Sequence, residues 1–302
     1  MKPKKSLGQN FLKDKAVLER IIESANLSTD DFVVEIGSGE GVLTEELVKH
    51  AGKVLAIEID KNLATKLDSR FRGNDKVKII NDDILKVNLP EMLRHSERND
   101  AVGGMESKNL LNNTTSNNQG QIPRLRSDKI LTSLGMTDYD YKVIANIPYY
   151  ITSPIIQLFL ETKYPPTEMI LMVQKEVAER IVASPGQMSI LAVSVQYYAD
   201  VKLLFYVDKK AFWPVPEVDS AVIRIEVRSK KKEVSQEENK KFFRIVKAGF
   251  SSKRKTLLNN LSSSFHLGKS ETEEKIKKAG INPTCRAQEL TIENWKKLSS
   301  LF

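Results

Sequence analysis

The sequence predicts an α/β fold: a mainly parallel sheet with helices on both faces, followed by a small helical module. Three features carry that reading. Short apolar runs alternate with amphipathic stretches over residues 30–227, the signature of strand–helix units. A glycine-rich turn, Gly37-Ser38-Gly39-Glu40-Gly41, separates a strand from a helix near the start of that series. From residue 235 onward the pattern is helical and rich in Lys and Arg. The 302 residues suffice for two domains, placed at 1–234 and 235–302.

The chain opens on a basic, amide-rich and then apolar arm, Lys4-Lys5-Ser6-Leu7-Gly8-Gln9-Asn10-Phe11-Leu12. A frayed terminus is the plain alternative, but the apolar pair Phe11-Leu12 favours docking. A helix follows over 14–25, with Ala16, Val17, Ile21 and Ile22 at helical spacing. Phe32–Ile36 reads as the first strand. The glycine turn and an amphipathic helix from Val42 to about His50 come next. Glycines at a strand-to-helix turn let a ligand approach the backbone closely. The spacing is G-x-G-x-G; Val42 occupies the last glycine position of the dinucleotide fingerprint.

Residues 54–60 read as the second strand. They set Glu58 21 residues beyond Gly37, where a ribose-binding acid belongs in such folds. Glu35 and Glu40 add negative charge beside the turn. That disfavours a pyrophosphate and suits a phosphate-free, positively charged nucleoside, of which S-adenosylmethionine is an example. Val77–Ile80 is the third strand, and Asp83 follows it. An acid there can meet an adenine amino group or cap a turn; local sequence leaves both open. Residues 94–137 lack apolar periodicity and read as a flexible insertion.

Val143-Ile144-Ala145 is the fourth strand and runs into Asn146-Ile147-Pro148-Tyr149. This tetrapeptide is either an ordinary strand-end turn or a pocket. In the pocket reading the Asn146 amide oxygen accepts from an exocyclic amine and the Tyr149 ring stacks on the base. A helix over 155–161 begins at Ser153-Pro154. A fifth strand at 168–173, helices at 174–183 and 188–198, and closing strands at 201–207 and 220–227 complete the sheet domain. Ligands of such sheets lie at the carboxyl ends of the strands, and Gly37, Glu58, Asp83 and Asn146 all fall there. Between the closing strands, Phe212-Trp213-Pro214-Val215-Pro216 reads as a stiff aromatic loop. It is expected to be exposed and to face Tyr149, ready to sandwich a flipped base. In the last part Ser251 to Lys255 start a helix at Thr256–Leu261, and Arg286–Leu290 cap a final one.

Net charge is +8, and all of the excess lies late in the chain. Residues 209–302 hold 21 Lys and Arg against 11 Asp and Glu, while residues 1–208 hold 26 against 28. A basic module beside a near-neutral one suits a phosphate-rich partner, unless the charge is only a solvated face. One cysteine, Cys285, excludes an internal disulfide and suits a reducing cytoplasm. Three scattered His with that Cys make no metal site. There is neither a secretory signal nor an apolar run of about 18 residues, so no membrane partner is expected.

Together these segments resemble the ribosomal RNA adenine N6,N6-dimethyltransferase family, of the KsgA type. The resemblance rests on Leu7–Leu12, Glu35–Gly41, Asn146–Tyr150, Phe212–Pro216, Lys253–Leu257 and Arg286–Leu290, in that order along the chain. It implies a Rossmann-like class I methyltransferase sheet with S-adenosylmethionine as cofactor. It implies that Gln9, Asn10 and Leu12 cover the donor, that Gly37 and Gly39 approach it, that Glu58 holds the ribose and Asp83 the adenine. Asn146 then borders donor and target, with the Ile147 carbonyl, Tyr149 and Phe212 around the target base. Lys253, Arg254 and Lys255 become phosphate contacts. The family usually has Leu at Ile147 and lacks a long segment at 94–137. The implied activity is dimethylation of two neighbouring adenosines near the 3′ end of small-subunit rRNA by a cytoplasmic monomer. Two alternatives remain: a large-subunit rRNA adenine methyltransferase of the macrolide-resistance kind, and a non-catalytic assembly factor on the same fold.

Overall fold

The computed structural model describes residues 3–4, 7–87, 140–228 and 235–302. The insertion at 94–137 and the domain boundary at 234 lie outside the described residues. Runs of Val, Ile and Leu that are buried on both sides build the central sheet. Its strands are β2 (Phe32–Ile36), β3 (Lys53–Ile57), β4 (Val77–Ile80), β5 (Tyr141–Asn146), β6 (Glu168–Gln174), β7 (Ala199–Val207) and β9 (Ser220–Val227). The order is β4-β3-β2-β5-β6-β9-β7. β4, β3, β2, β5 and β6 pair in parallel, and β9 is antiparallel to both β6 and β7.

Strand alternation sends successive residues into two separate cores. Val34, Val143, Ala145, Met169 and Leu171 face one, closed by α4 (Thr152–Glu161), α5 (Lys175–Ile181) and α6 (Ile190–Tyr198). Val33, Ile144, Ile170 and Met172 face the other, closed by α1 (Lys15–Ala25) and α2 (Val42–His50). The helix α1 starts where expected because Asp14 accepts hydrogen bonds from the Ala16 and Val17 N–H groups, at 2.9 and 3.2 Å.

Several element ends differ from expectation: β5 begins at Tyr141, α4 at Thr152 and β7 at Ala199, and the helix expected at 256–261 runs to Phe265; two further differences follow from capping. The second strand stops at Ile57 instead of continuing to 60. Asp60 is the N-cap of α3 (Lys61–Arg70), accepting from Asn62 N–H at 3.0 Å, and the cap pulls the chain out of the sheet. Arg286–Leu290 do not cap the final helix. They hold a single 3-10 turn, Ala287–Glu289, and Thr291 caps α10 (Ile292–Ser299), with Thr291 and Asn294 bonding reciprocally at 3.1 Å.

The C-terminal helices α7 (Gln236–Gly249), α8 (Leu257–Phe265), α9 (Lys269–Lys278) and α10 pack around Trp295, Phe242 and Leu257. That core also takes Met188, Ala192 and Val193 from the region of α6. Tyr197 stacks on Phe242 with ring centroids 4.0 Å apart. The C-terminal helices therefore share an apolar core with α6, one of the helices covering a face of the sheet.

The docking expected of Phe11-Leu12 is present. They form β1, a two-residue strand antiparallel to β8 (Phe212–Trp213), with Phe11 opposite Trp213 and Leu12 opposite Phe212. This small ribbon lays the N-terminal arm across the carboxyl ends of the main strands.

Candidate functional site

A cavity opens where the carboxyl ends of β2, β3 and β5 meet the arm. Leu7 to Leu12, Glu35, Gly37 to Glu40, Glu58, Ile59 and Asn146 to Tyr149 line it. The sequence-predicted residues Gln9, Asn10, Leu12, Gly37, Gly39, Glu58, Asn146, Ile147 and Tyr149 are thus brought to one place. The glycine turn is held against its neighbours. Gly37 has φ 71°, and a Cβ there would lie 3.7 Å from Pro148 Cδ; Gly39 has φ 57°, and a Cβ there would lie 3.2 Å from the Phe11 ring. At Gly37 the positive φ alone favours glycine, and at Gly39 the close approach of the Phe11 ring adds to it.

Two carboxyl groups are buried beneath this turn. Glu58 is 4% exposed, and its oxygens accept from Gly39 N–H and Asp60 N–H, each at 2.8 Å. Those bonds fix the side chain while each oxygen keeps a second lone pair. Burial raises its pKa, against the pull of the two N–H groups. Glu35 is 1% exposed and accepts from the Thr44 hydroxyl at 2.6 Å. Burial pushes its pKa up to about 8; Thr44 opposes this and the charge of Glu58 adds to it. The expectation that Glu35 contributes a negative charge needs correction: at neutral pH its carboxyl is mostly protonated. The Ser38 hydroxyl, also buried, stands near enough to Glu35 to lower its pKa a little, without a hydrogen bond of ordinary geometry among the described residues.

Asn146 closes the opposite wall. Its amide nitrogen donates to the Asn10 carbonyl at 3.3 Å, which ties the end of β5 to the arm and leaves the amide oxygen free to accept from a ligand. The Ile147 side chain is buried in the core, and its N–H donates to the Met172 carbonyl at 3.2 Å. The Tyr149 hydroxyl meets Ser220 Oγ at 2.8 Å, so the ring is held at its tip as well as its root.

The arm is fastened at several points. Gln9 donates to Asp60 at 3.1 Å and Lys4 Nζ to the other Asp60 oxygen at 2.9 Å. Lys13 pairs with Glu40. Asp60 was invisible as a site residue in the sequence, although an acid just before Lys61-Asn62-Leu63 is a legible cap. Ile59 was also missed: it is 46% exposed on the cavity rim. The Asn81 amide holds the Glu58 and Ile59 carbonyls at 2.8 and 3.2 Å and so sets that rim.

Two predicted residues do not line the cavity itself. Asp83 is not among the cavity-lining residues. It caps its own turn, accepting from Leu85 N–H at 3.1 Å, and lies 3.6 Å from Lys86 Nζ. Phe212 is only 3% exposed, packed in the core with Leu12, Ile21 and Val222. Its expected exposure is wrong because pairing with β1 turns it inward; the exposed member of the pair is Trp213, at 48%. Lys253, Arg254 and Lys255 are all exposed in the turn before α8. None of the three has an ion-pair partner among the described residues.

Among the described residues no group of three or more His, Cys, Asp and Glu side chains is arranged to hold a metal ion. No helix among them is long and apolar enough to cross a membrane.

Residues 1–302 match the model of the family described as ribosomal RNA adenine dimethylase. The chain is 38% identical over 300 residues to a ribosomal RNA small subunit methyltransferase A of Dehalococcoides mccartyi, covering 99% of this chain and 88% of that one. It is 38% identical over 301 residues to the protein of that name from Clostridioides difficile, covering 99% and 90%. Among solved structures, a dimethyladenosine transferase from Plasmodium falciparum superposes with a TM-score of 0.68 at 23% identity, covering 95% of each chain. The 23S rRNA methyltransferase ErmE superposes with a TM-score of 0.66 at 24% identity, covering 97% of this chain and 99% of that one. The two structural likenesses establish the class I methyltransferase fold.

Proposed function

The chain belongs to the ribosomal RNA adenine dimethylase family, and on that premise we propose that its cavity methylates N6 of two adjacent adenosines near the 3′ end of small-subunit rRNA. It is an S-adenosylmethionine-dependent rRNA adenine methyltransferase. The single observation that carries the site assignment is the Asn146 amide at the cavity wall, whose nitrogen donates to the Asn10 carbonyl and so leaves its oxygen to accept from the target amine.

The donor supplies an electrophilic methyl group and a positive charge. The cavity suits it: the buried Glu58 carboxyl, a Glu35 carboxyl that a nearby cation would help to ionise, and a glycine turn line it, and no Lys or Arg is among the lining residues to meet a phosphate. Glu58, held by two N–H groups, receives the ribose hydroxyls. Ile59, beside it on the rim, offers an apolar face to the adenine. Asp83 acts on the adenine amino group from the end of β4, as the family resemblance implies. Gln9, Asn10 and Leu12 close over the donor as part of the arm.

The target nitrogen is a poor nucleophile because its lone pair is delocalised into the purine ring. Its two hydrogens donate to the Asn146 side-chain oxygen and the Ile147 carbonyl. Holding both hydrogens on one side draws the nitrogen toward tetrahedral geometry and points the lone pair at the methyl carbon. One N–C bond forms as the S–C bond breaks, and the proton then leaves the cationic nitrogen for solvent. The residues contribute orientation and electrostatics, with Tyr149 stacked on the base. Lys253, Arg254 and Lys255 hold phosphates of the same RNA. The protein works as a monomer in the cytoplasm on small-subunit rRNA. The large-subunit alternative finds support only in the fold likeness to ErmE, and the intact amide pocket speaks against a purely non-catalytic factor.

The test is to incubate immature small and large subunits with methyl-labelled donor and map the label. Label should fall on two neighbouring small-subunit adenosines. Asn146→Ala should lose roughly 3–4 kcal/mol of transition-state stabilisation while subunit binding stays intact. Label on large-subunit rRNA, or near-normal turnover by the variant, refutes the assignment.

A further inference from the structure

The ribbon of β1 and β8 gives Phe212 and Trp213 different surroundings. Directly opposed residues of an antiparallel pair put their side chains on one face, with Cβ atoms about 4.5–5.5 Å apart. Leu12 and Phe212 form the inward pair, 8% and 3% exposed. Phe11 and Trp213 form the outward pair. The Phe11 ring lines the cavity and reaches the Gly39 position. Trp213 therefore stands beside the cavity on the same face as Phe11, with its indole half exposed. Val215 and Val218, 56% and 44% exposed, continue the apolar surface along the loop. Lys209 and Lys210 are exposed in the turn just before β8. Lys209 Nζ donates to the Glu217 carbonyl at 3.4 Å, and Lys210 has no carboxylate partner among the described residues.

We propose that Trp213 is a stacking platform for the RNA nucleotide next to the one in the pocket, with Lys209 and Lys210 holding the adjoining backbone. The proposal rests on the function assigned above and deepens it by giving the second adenosine of the pair a seat. A flat, half-exposed ring flanked by cations is the composition that holds single-stranded nucleic acid. Putting one adenine into the cavity unstacks it from its neighbour, and Trp213 offers that neighbour a replacement surface. The target is then recognised as a pair of purines, because one base fills the pocket and the other covers the indole.

The chain has two tryptophans, and Trp295 is fully buried in the helical module. Trp213 therefore dominates any ligand-induced fluorescence quenching. The experiment compares the wild type, Trp213→Phe and Trp213→Ala on immature small subunits with labelled donor. Readouts are kcat/KM at each adenosine, donor affinity, and emission on adding a short RNA carrying the adenosine pair. The wild type should be quenched by RNA, and Trp213→Phe should lose the quench while keeping most activity. Trp213→Ala should lose roughly 5- to 150-fold in kcat/KM, the worth of one stacked base, with donor affinity unchanged. Wild-type quenching keeps the test valid even if Trp213→Ala fails to fold. No quenching, Trp213→Ala activity within twofold of wild type, or failure of Phe to restore activity overturns the proposal. Absence of small-subunit methylation by the wild type itself refutes the functional assignment instead.

Discussion

Replacing Glu35 by Gln should make the protein more stable at alkaline pH, and the structure sets the size and sign of the change. Glu35 is sealed under the glycine turn with the Thr44 hydroxyl at 2.6 Å. Its pKa rises from 4.5 to about 8, chiefly through burial. Below 4.5 the carboxyl is protonated in folded and unfolded chains alike and costs nothing. Between 4.5 and 8 the unfolded chain ionises while the folded one keeps its proton, so stability falls as pH rises. Above 8 the whole penalty is present. At 1.36 kcal/mol per unit it approaches about 5 kcal/mol, and local relaxation brings the expected value to roughly 2–4 kcal/mol. Gln keeps an oxygen for Thr44 and cannot ionise. Urea titrations between pH 4 and 9 should show variant and wild type alike near pH 4, with the gap opening toward pH 9. Glu58 also has a raised pKa, but it is present in both proteins and largely cancels. The same carboxyl links pH to the donor. A cationic ligand favours ionised Glu35, so wild-type binding near pH 7 should release a proton that Glu35→Gln does not, as calorimetry in two buffers would reveal. A gap that does not grow with pH, together with equal proton release, would show that Glu35 titrates like a solvated acid.

Replacing Lys253, Arg254 and Lys255 together by Ala should weaken subunit binding and reduce its log–log salt slope by up to about 1 unit per lost phosphate contact. Donor affinity should stay within about twofold, and an unchanged slope would make these residues a merely solvated face. Phe212→Ala should cost roughly 3–5 kcal/mol of stability, because it opens a cavity in a packed core. Thermal or urea melts measure this; normal stability with methylation abolished would restore the base-stacking role and reject the burial argument.

The strands and the main site motifs were legible because each is local. Val33-Val34, Val143-Ile144 and Leu171-Met172-Val173 are apolar on both faces, and a parallel strand covered by helices needs that composition. Gly37, Glu58 and Asn146 could be placed at strand ends by counting along the chain. What escaped the sequence depends on distant partners or on competing local chemistry. The second strand read through to Asp60 because Ile59 looks like a continuation, whereas a capping acid outweighs one more apolar residue. The neutral state of Glu35 follows from its enclosure, and no neighbour in sequence reports that. Packing between α6 and the last helices is equally hidden, since Met188, Ala192 and Val193 belong to the core of α7 to α10.

The aromatic loop is the instructive failure. In sequence, Phe212 and Trp213 look like one exposed unit because two prolines follow them. Yet consecutive residues of an extended segment must point to opposite sides, so a strand laid over a core can expose only one of the two. The arm decides which one. Leu12 is the residue that reaches the core beside Ile21, and Phe212 is its cross-strand partner. Phe11 is left facing the glycine turn, and Trp213 follows it outward. The alternation was available from the sequence; the phase was set by a partner some 200 residues away, and that phase determines which aromatic ring RNA can reach.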